Sequence, residues 1–337
     1  MAPPLQHGSL RIGIVGAGRR RNGLGPFFAR HCETAGMHVA GVAGRDRASA
    51  ERAAAGLLTH IGRAPAAFDS ARALADAVDL LIVASPVDAH VEGLEAALAA
   101  GVPCLCEKPL VLPEQTGRGL ELVTEFGRRG LPLFENCQWP FALDTLRSLY
   151  PELGGRAAER LAMGLSPAAG GRAMIRDSLS HVLSVAAECA ELGPEGAVRN
   201  VCEIDPRRTA ESNVLTFELG VKAPSHGAPA ATADAGWLAV ELRLERREQQ
   251  PRPAWLAIDG LRADRRIGEN YSQFLLAPDG REEQMPDPLL ALVYRVRDLL
   301  TPGARDDPRT FAEIRDRITT RLHCFAAVLD GLGREVP

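Results

Sequence analysis

Three groups of residues in this 337-residue chain have the types and spacing to do chemistry. Gly16 and Gly18 stand in G-x-G spacing directly after the apolar run "LRIGIV". A strand that ends this way lets the main chain approach a pyrophosphate, whose charge is stabilised by the N-terminus of the following helix. Lys108, in "CEKPL", is one of only two lysines among 39 basic residues. Desolvation can take a proton from lysine, whereas arginine effectively keeps its charge. A lysine in so arginine-rich a chain therefore invites an acid–base role. Asp177 and His181 are four residues apart in "RDSLSHVLSV" and share a helix face. Both side chains can then point into one site, although an ordinary helix-surface contact has the same spacing.

The opening loop departs from the three-glycine pattern, because Arg21 stands where the third glycine is expected. Pro26 reads as the first turn of a helix that starts late, so the stretch from Arg19 to Gly25 is a longer loop, with Gly23 and Gly25 near its end. Arg19, Arg20 and Arg21 either lie along phosphates or face water. The second strand ends in "VAGRD". A carboxylate at its tip would hold a ribose 2′-hydroxyl and favour NAD. Gly44 stands there instead and Arg45 follows, which favours a 2′-phosphate and hence NADP, while the nearby Asp46 keeps NAD open.

The elements that must position these groups read as two kinds. Up to about residue 136, short apolar strands ("LRIGIV", "MHVAGVA", "DLLIVAS", "VPCLCE", "LPLFE") alternate with helices, as in a parallel sheet covered on both faces. Beyond it, strands alternate polar with apolar residues: "RAAERLAMGL", "AVRNVCEID", "SNVLTFELGVK", "GWLAVELRLERRE", "PAWLAIDGLRADRRI" and "SQFLLAPDG". These predict an open, mostly antiparallel sheet with one wet face. A helix over "AMIRDSLSHVLSVAAECAEL" interrupts them, and two helices close the chain, the second with an apolar stripe of Ile314, Ile318, Leu322, Phe325 and Leu329. "APSHGAPAATADAG" reads as a hairpin tip. The predicted division is a doubly wound domain over 1–136 and an α+β domain over 137–337, the latter binding substrate and pairing subunits.

Bulk properties narrow the function classes. A formal net charge of −4, 46% hydrophobic and 24% charged residues give no electrostatic reason to expect nucleic acid. No apolar run has the length of a membrane span, and "MAPPLQHGS" lacks the basic-then-apolar order of a signal peptide, so the cytoplasm is expected. Of seven cysteines the only close pair is Cys104 and Cys106, inside a strand. They read as reduced structural thiols, and no metal site is expected.

The order and spacing of these motifs resemble the Gfo/Idh/MocA family (glucose–fructose oxidoreductase, inositol dehydrogenase, rhizopine catabolism). The resemblance rests on Glu107-Lys108-Pro109 at the end of the fifth strand. It is joined by Ser85 and Pro86 before a helix bearing His90, by the Asp177-x-x-x-His181 helix, and by the closing "RITTRLHCFAAVLDGLGREV". The resemblance implies an NAD(P)-dependent enzyme that moves a hydride between the nicotinamide and a hydroxyl or carbonyl carbon of a sugar, polyol or sugar-derived substrate. Lys108 and His181 would share the proton, and Asp177 would bind a substrate hydroxyl or orient His181. Glu107 would fix or modulate Lys108, and Ser85, Pro86 and His90 would lie toward the cofactor.

Departures from the family fall where substrate would be read. Gln138 and Trp139 follow the sixth strand, and Arg172 and Arg176 precede Asp177. Trp139 and Arg176 are therefore candidate substrate contacts. Arg172 or Arg176 would meet an anionic group, or only solvent. Two other functions suit the same fold: an NAD-dependent glycoside hydrolase and a non-catalytic nucleotide sensor. A homodimer or larger assembly through the second-domain sheet is expected.

Overall fold

The computed structural model describes residues 9–18, 23–154, 156–193, 196–204, 210–222, 236–301 and 308–333. Arg19, Arg20, Arg21 and the expected hairpin tip over 223–235 lie outside them. The chain forms two compact units, Met1–Asn136 with Leu289–Ile318, and Cys137–Pro288 with Thr319–Pro337.

The first unit alternates strand and helix: β1 (Arg11–Val15), α1 (Gly25–Thr34), β2 (His38–Ala43), α2 (Arg47–Ile61), β3 (Ala66–Phe68), α3 (Ala71–Ala75), β4 (Leu80–Val83), α4 (His90–Ala100), β5 (Cys104–Cys106), α5 (Thr116–Arg128) and β6 (Leu133–Glu135). The six strands pair in parallel in the order β3-β2-β1-β4-β5-β6. Every β4 residue is buried, as the uninterrupted run "LLIV" requires of a strand covered on both faces. In such sheets ligands bind beyond the carboxyl ends of the strands, where the order reverses, here between β1 and β4.

The second unit carries α6 (Leu143–Leu149), β7 (Arg160–Leu165), α7 (Arg172–Cys189), β8 (Val198–Glu203), β9 (Ser212–Gly220), β10 (Trp237–Glu245), β11 (Ala254–Ile258), β12 (Leu261–Ile267), β13 (Gln273–Leu276) and β14 (Glu282–Met285). Its eight strands run in the order β14-β13-β12-β11-β7-β10-β9-β8. Among the described residues only β7 and β10 pair in parallel, so the sheet is mostly antiparallel. One face buries Leu215, Phe217, Leu242, Leu256 and Met163 under Leu179, Val182 and Val185 of α7.

"PAWLAIDGLRADRRI" is a hairpin rather than one strand. Asp259 and Gly260 have φ of 50° and 85° and turn β11 into β12. A two-residue turn with both φ positive matches the twist of the flanking strands, and Asp-Gly is suited to it. The Asp259 carboxylate also accepts from the Glu159 and Arg160 amides at 2.9 and 2.8 Å, which ties the turn to the start of β7.

The chain closes with α8 (Pro288–Leu300) and α9 (Pro308–Gly331). The first unit takes in 289–318, which a contiguous division at 136/137 places in the second. Leu289, Leu292, Val293, Val296 and Leu300 form the buried stripe of α8. Arg297 donates to the Ala35 carbonyl at 3.1 Å, and Phe311 meets Phe134 edge-on at 6.4 Å. Further along α9, Ile318, Leu322 and Phe325 are buried as the stripe predicts, with Val328 rather than Leu329 completing it.

Candidate active site

In the first unit an open cleft of about 860 Å³ runs past Gly16, Gly18, Arg45, Arg52, His60 and Pro86. Glycine at 16 is required twice over. Its φ is +83°, and a Cβ there would lie 2.6 Å from the backbone N and Cα of Ser85. A side chain at Gly25 would meet Ala17 backbone at 2.5 Å, so α1 also begins close against the turn. Pro26 lies in the first turn of α1. The hydroxyl of Ser85, at the end of β4, is buried without a hydrogen-bond partner. A close main-chain turn and a helix start border this one cleft, with the Ser85 main chain packed against Gly16, and these are the parts a dinucleotide needs, so the residues fit NAD(P).

At the tip of β2, Asp46 caps α2. Its carboxylate accepts from the Ser49 amide at 2.7 Å, and the Ser49 hydroxyl returns to the Asp46 main chain. These bonds hold the carboxyl below the usual aspartate range. Gly44 leaves no room for a side chain, since a Cβ would sit 2.3 Å from the Ser49 hydroxyl. The Arg45 side chain is 89% exposed and touches Asp46 at 3.5 Å.

The Glu107-Lys108-Pro109 loop leaves the end of β5 held by several anchors. The Glu107 amide donates to the Val83 carbonyl at 2.9 Å. The Asn136 side chain donates to the Glu107 carboxylate. Glu135 accepts from the Leu110 amide at 3.1 Å. His90 is buried, with Nε2 3.0 Å from the Ser85 carbonyl and Nδ1 3.1 Å from the Pro109 carbonyl. It thus ties the end of β4 to the Lys108 loop. Lys108 itself is half-buried.

Sequence reasoning misses Glu135 and Asn136. Polar residues at the end of a buried strand read as the first residues of a loop, and only the 25- and 29-residue separations closed by the fold reveal their partners. The neighbouring thiols of Cys104 and Cys106 are buried, which pushes their ionisation upward and leaves them inert.

In the second unit, α7 carries Arg176 and Asp177 exposed and His181 half-buried one turn on. Arg172 is tied down instead. It pairs with Glu203 at 3.4 Å and donates to the Leu332 carbonyl at 3.3 Å, fastening α7 to β8 and α9. Trp139 is buried in the core of this unit and lines a separate recess. Among the described residues no three His, Cys, Asp or Glu side chains are grouped to hold a metal, and no helix is long and apolar enough to cross a membrane.

Residues 10–136 match the model of an oxidoreductase family with an NAD-binding Rossmann fold, GFO_IDH_MocA. An inositol 2-dehydrogenase of Streptomyces avermitilis is 39% identical over 127 residues, which span 36% of this chain and 34% of that protein. The chain thus matches about a third of the length of this curated relative. At the level of fold, the UDP-N-acetylglucosamine 3-dehydrogenase of Acidithiobacillus ferrooxidans aligns over 96% of both chains with a TM-score of 0.61 and 21% identity. A variant of a 3-ketoreductase from Actinomadura kijaniata, solved with TDP-benzene and NADP, aligns over 96% of this chain and 98% of its own with a TM-score of 0.63 and 18% identity.

Proposed function

Because this chain is, over residues 10–136, a member of the Gfo/Idh/MocA oxidoreductases, we propose that it is an NADP-dependent dehydrogenase or reductase acting on a hydroxyl or carbonyl carbon of a polyol or sugar-derived substrate. The observation that carries the reading is the Glu107-Lys108-Pro109 loop, anchored by Glu135, Asn136 and His90 at the carboxyl end of the parallel sheet. Bound in the cleft, the nicotinamide would supply hydride exchange with the substrate carbon. The Lys108 ammonium or amine exchanges the proton of the reacting hydroxyl, and Glu107 holds a compensating charge beside it. Asp177 and His181 are assigned to substrate hydroxyls, with His181 sharing the proton. The identity with an inositol 2-dehydrogenase puts cyclitols first in any substrate panel. Absorbance at the reduced-nicotinamide band across cyclitols, sugars and their keto derivatives tests the reading.

NADP is favoured over NAD by the geometry at β2. Asp46 is engaged in capping α2 and Gly44 offers no carboxylate, while Arg45 and Arg52 border the cleft. A charge-assisted pair to the 2′-phosphate is lost when Arg45 becomes alanine, so KM for NADP should rise about tenfold with KM for NAD unchanged. Steady-state kinetics with both cofactors checks this, and tighter binding of NAD by the unaltered protein would reverse the assignment.

The wet face of the second-unit sheet offers Trp255, with Arg262 stacked over it at 4.3 Å, beside Glu241, Arg243 and Asp264. Mixed charges around an aromatic centre are self-complementary under a twofold axis. We therefore assign this face to a homodimer, and Trp255→Glu should give monomers in size-exclusion chromatography with light scattering. A wild-type chain that is already monomeric at micromolar concentration would remove the assignment. Reduced, buried thiols at Cys104 and Cys106 accord with a cytoplasmic place for the enzyme.

A further inference from the structure

One arginine in the second unit breaks the alternation of its strand. Along β12, Ala263 faces the core and is fully buried, Asp264 points to the wet face, and Arg265 returns to the core side. Its cross-strand partners are Ala254 and Leu275, both buried. An apolar residue is what this register demands.

Arg265 is half-buried as a residue, with its Nε fully buried, and has little to offset that loss of water. Its Nη2 donates to the Arg252 carbonyl at 3.0 Å, and the guanidinium lies 5.3 Å from the Trp139 ring centre. Its Nε is buried and has no hydrogen-bond partner. No carboxylate pairs with it among the described residues, in a molecule where most arginines on strands do have such a partner. Burial alone displaces its ionisation, in the downward direction. A guanidinium so desolvated and without a carboxylate partner is costly, since arginine cannot escape by losing its proton.

Arg265 borders a recess of about 50 Å³ whose wall also includes Gln138, Trp139, Gln273 and Met285. That is well below the volume of a pocket for a whole drug-sized ligand and suits a single small anionic group. Two carboxamides, an aromatic wall and an uncompensated guanidinium supply donors without a competing negative charge.

We propose that this recess is an anion-binding site, in which Arg265 takes the carboxylate or phosphoryl group of a small molecule with Gln138 or Gln273 as a second donor. A planar fork binds such groups through paired N–H bonds, and the ligand supplies the charge the strand lacks. Arg265, rather than Arg172 or Arg176, is thus the arginine of the second unit that recognises an anion. The site stands whether or not the oxidoreductase reading does.

Thermal unfolding at constant ionic strength, with chloride replaced by inorganic phosphate or by malonate, tests the proposal. The wild-type melting temperature should rise with either anion. Arg265→Met keeps the stem and removes the charge. It should match or exceed the wild type without anion, because an unpaired buried charge is gone, and should need at least about tenfold more anion for the same rise. Phosphate held in the dinucleotide cleft is common to both proteins, so the difference isolates the recess. Gln273→Leu, which leaves the charge in place, should weaken the response by a smaller factor. Equal responses in wild type and Arg265→Met would overturn the proposal. So would a destabilised Arg265→Met beside a wild type indifferent to both anions, which is the behaviour of a purely structural arginine. Once a turned-over substrate is known, competitive inhibition by phosphate identifies the anion as part of that substrate, and non-competitive inhibition identifies a separate small molecule.

Discussion

Lys108→Met is expected to lower turnover by about a thousandfold while leaving the dissociation constant of the cofactor nearly unchanged. The separation of effects follows from how the loop is held. Glu107 is fixed by Asn136 and by the Val83 carbonyl, Leu110 by Glu135, and Pro109 by His90. These anchors are made by Glu107, Asn136, Leu110, Glu135, Pro109 and His90, and they remain when the Lys108 ammonium is removed. Methionine keeps an unbranched stem of similar length and removes only the group that exchanges a proton. Single-turnover absorbance together with a cofactor titration by protein fluorescence reads both quantities. Lys108→Arg should fail as well, because a guanidinium keeps its proton. Full activity in either variant would remove Lys108 from the mechanism.

The second large effect is expected at Gly16. Gly16→Ala places a Cβ 2.6 Å from the Ser85 backbone at a residue whose φ is +83°. The contact is with main chain at the end of a fully buried strand, which has no side-chain rotamer to change. Strain and collision together should cost about 3 kcal/mol or more and abolish dinucleotide binding. Gly101 supplies the control, since its φ is +72° and a Cβ there would meet nothing within 4 Å. Gly101→Ala should cost only about 1 kcal/mol, the backbone penalty alone. Chemical denaturation of both variants separates collision from conformation, and equal losses would show that proximity to Ser85 contributes nothing.

Much of this is legible in the sequence, for identifiable reasons. The period of the apolar residues marks the strands of the first unit, because burial on both faces leaves no alternation to misread. Glycines at 16 and 18 announce close main-chain approach, and a Cβ at either would meet a neighbour within 3.1 Å. Asp46 stands where the sequence leaves NAD open, but only the capping bonds reveal that its carboxylate is already engaged. Sequence and structure part where contacts are distant along the chain. The Asp259-Gly260 turn is hidden because apolar alternation continues on both sides of it. Residues 289–318 read as part of the second unit because nothing local ties α8 to Ala35. His90 reads as a residue early in a helix near the cofactor, and its burial between Ser85 and Pro109 depends on loops that only the sheet brings together. Arg265 hides for a similar reason. "RADRRI" reads as part of a strand with one wet face, and only the register shows that one of its arginines lies beside Ala254 and Leu275.

If the anchored Lys108 loop and the dinucleotide cleft serve hydride transfer, substrate must change the reduced cofactor. The most direct measurement is absorbance at the reduced-nicotinamide band with purified protein, NADP or NADPH, and a panel led by cyclitols and their keto derivatives. Substrate-dependent formation or loss of reduced cofactor is expected with at least one member of the panel, abolished by Lys108→Met. Two results would contradict the claim: saturable cofactor binding with no absorbance change for any member, as in a sensor, or glycoside cleavage with no net change in reduced cofactor, as in a hydrolase.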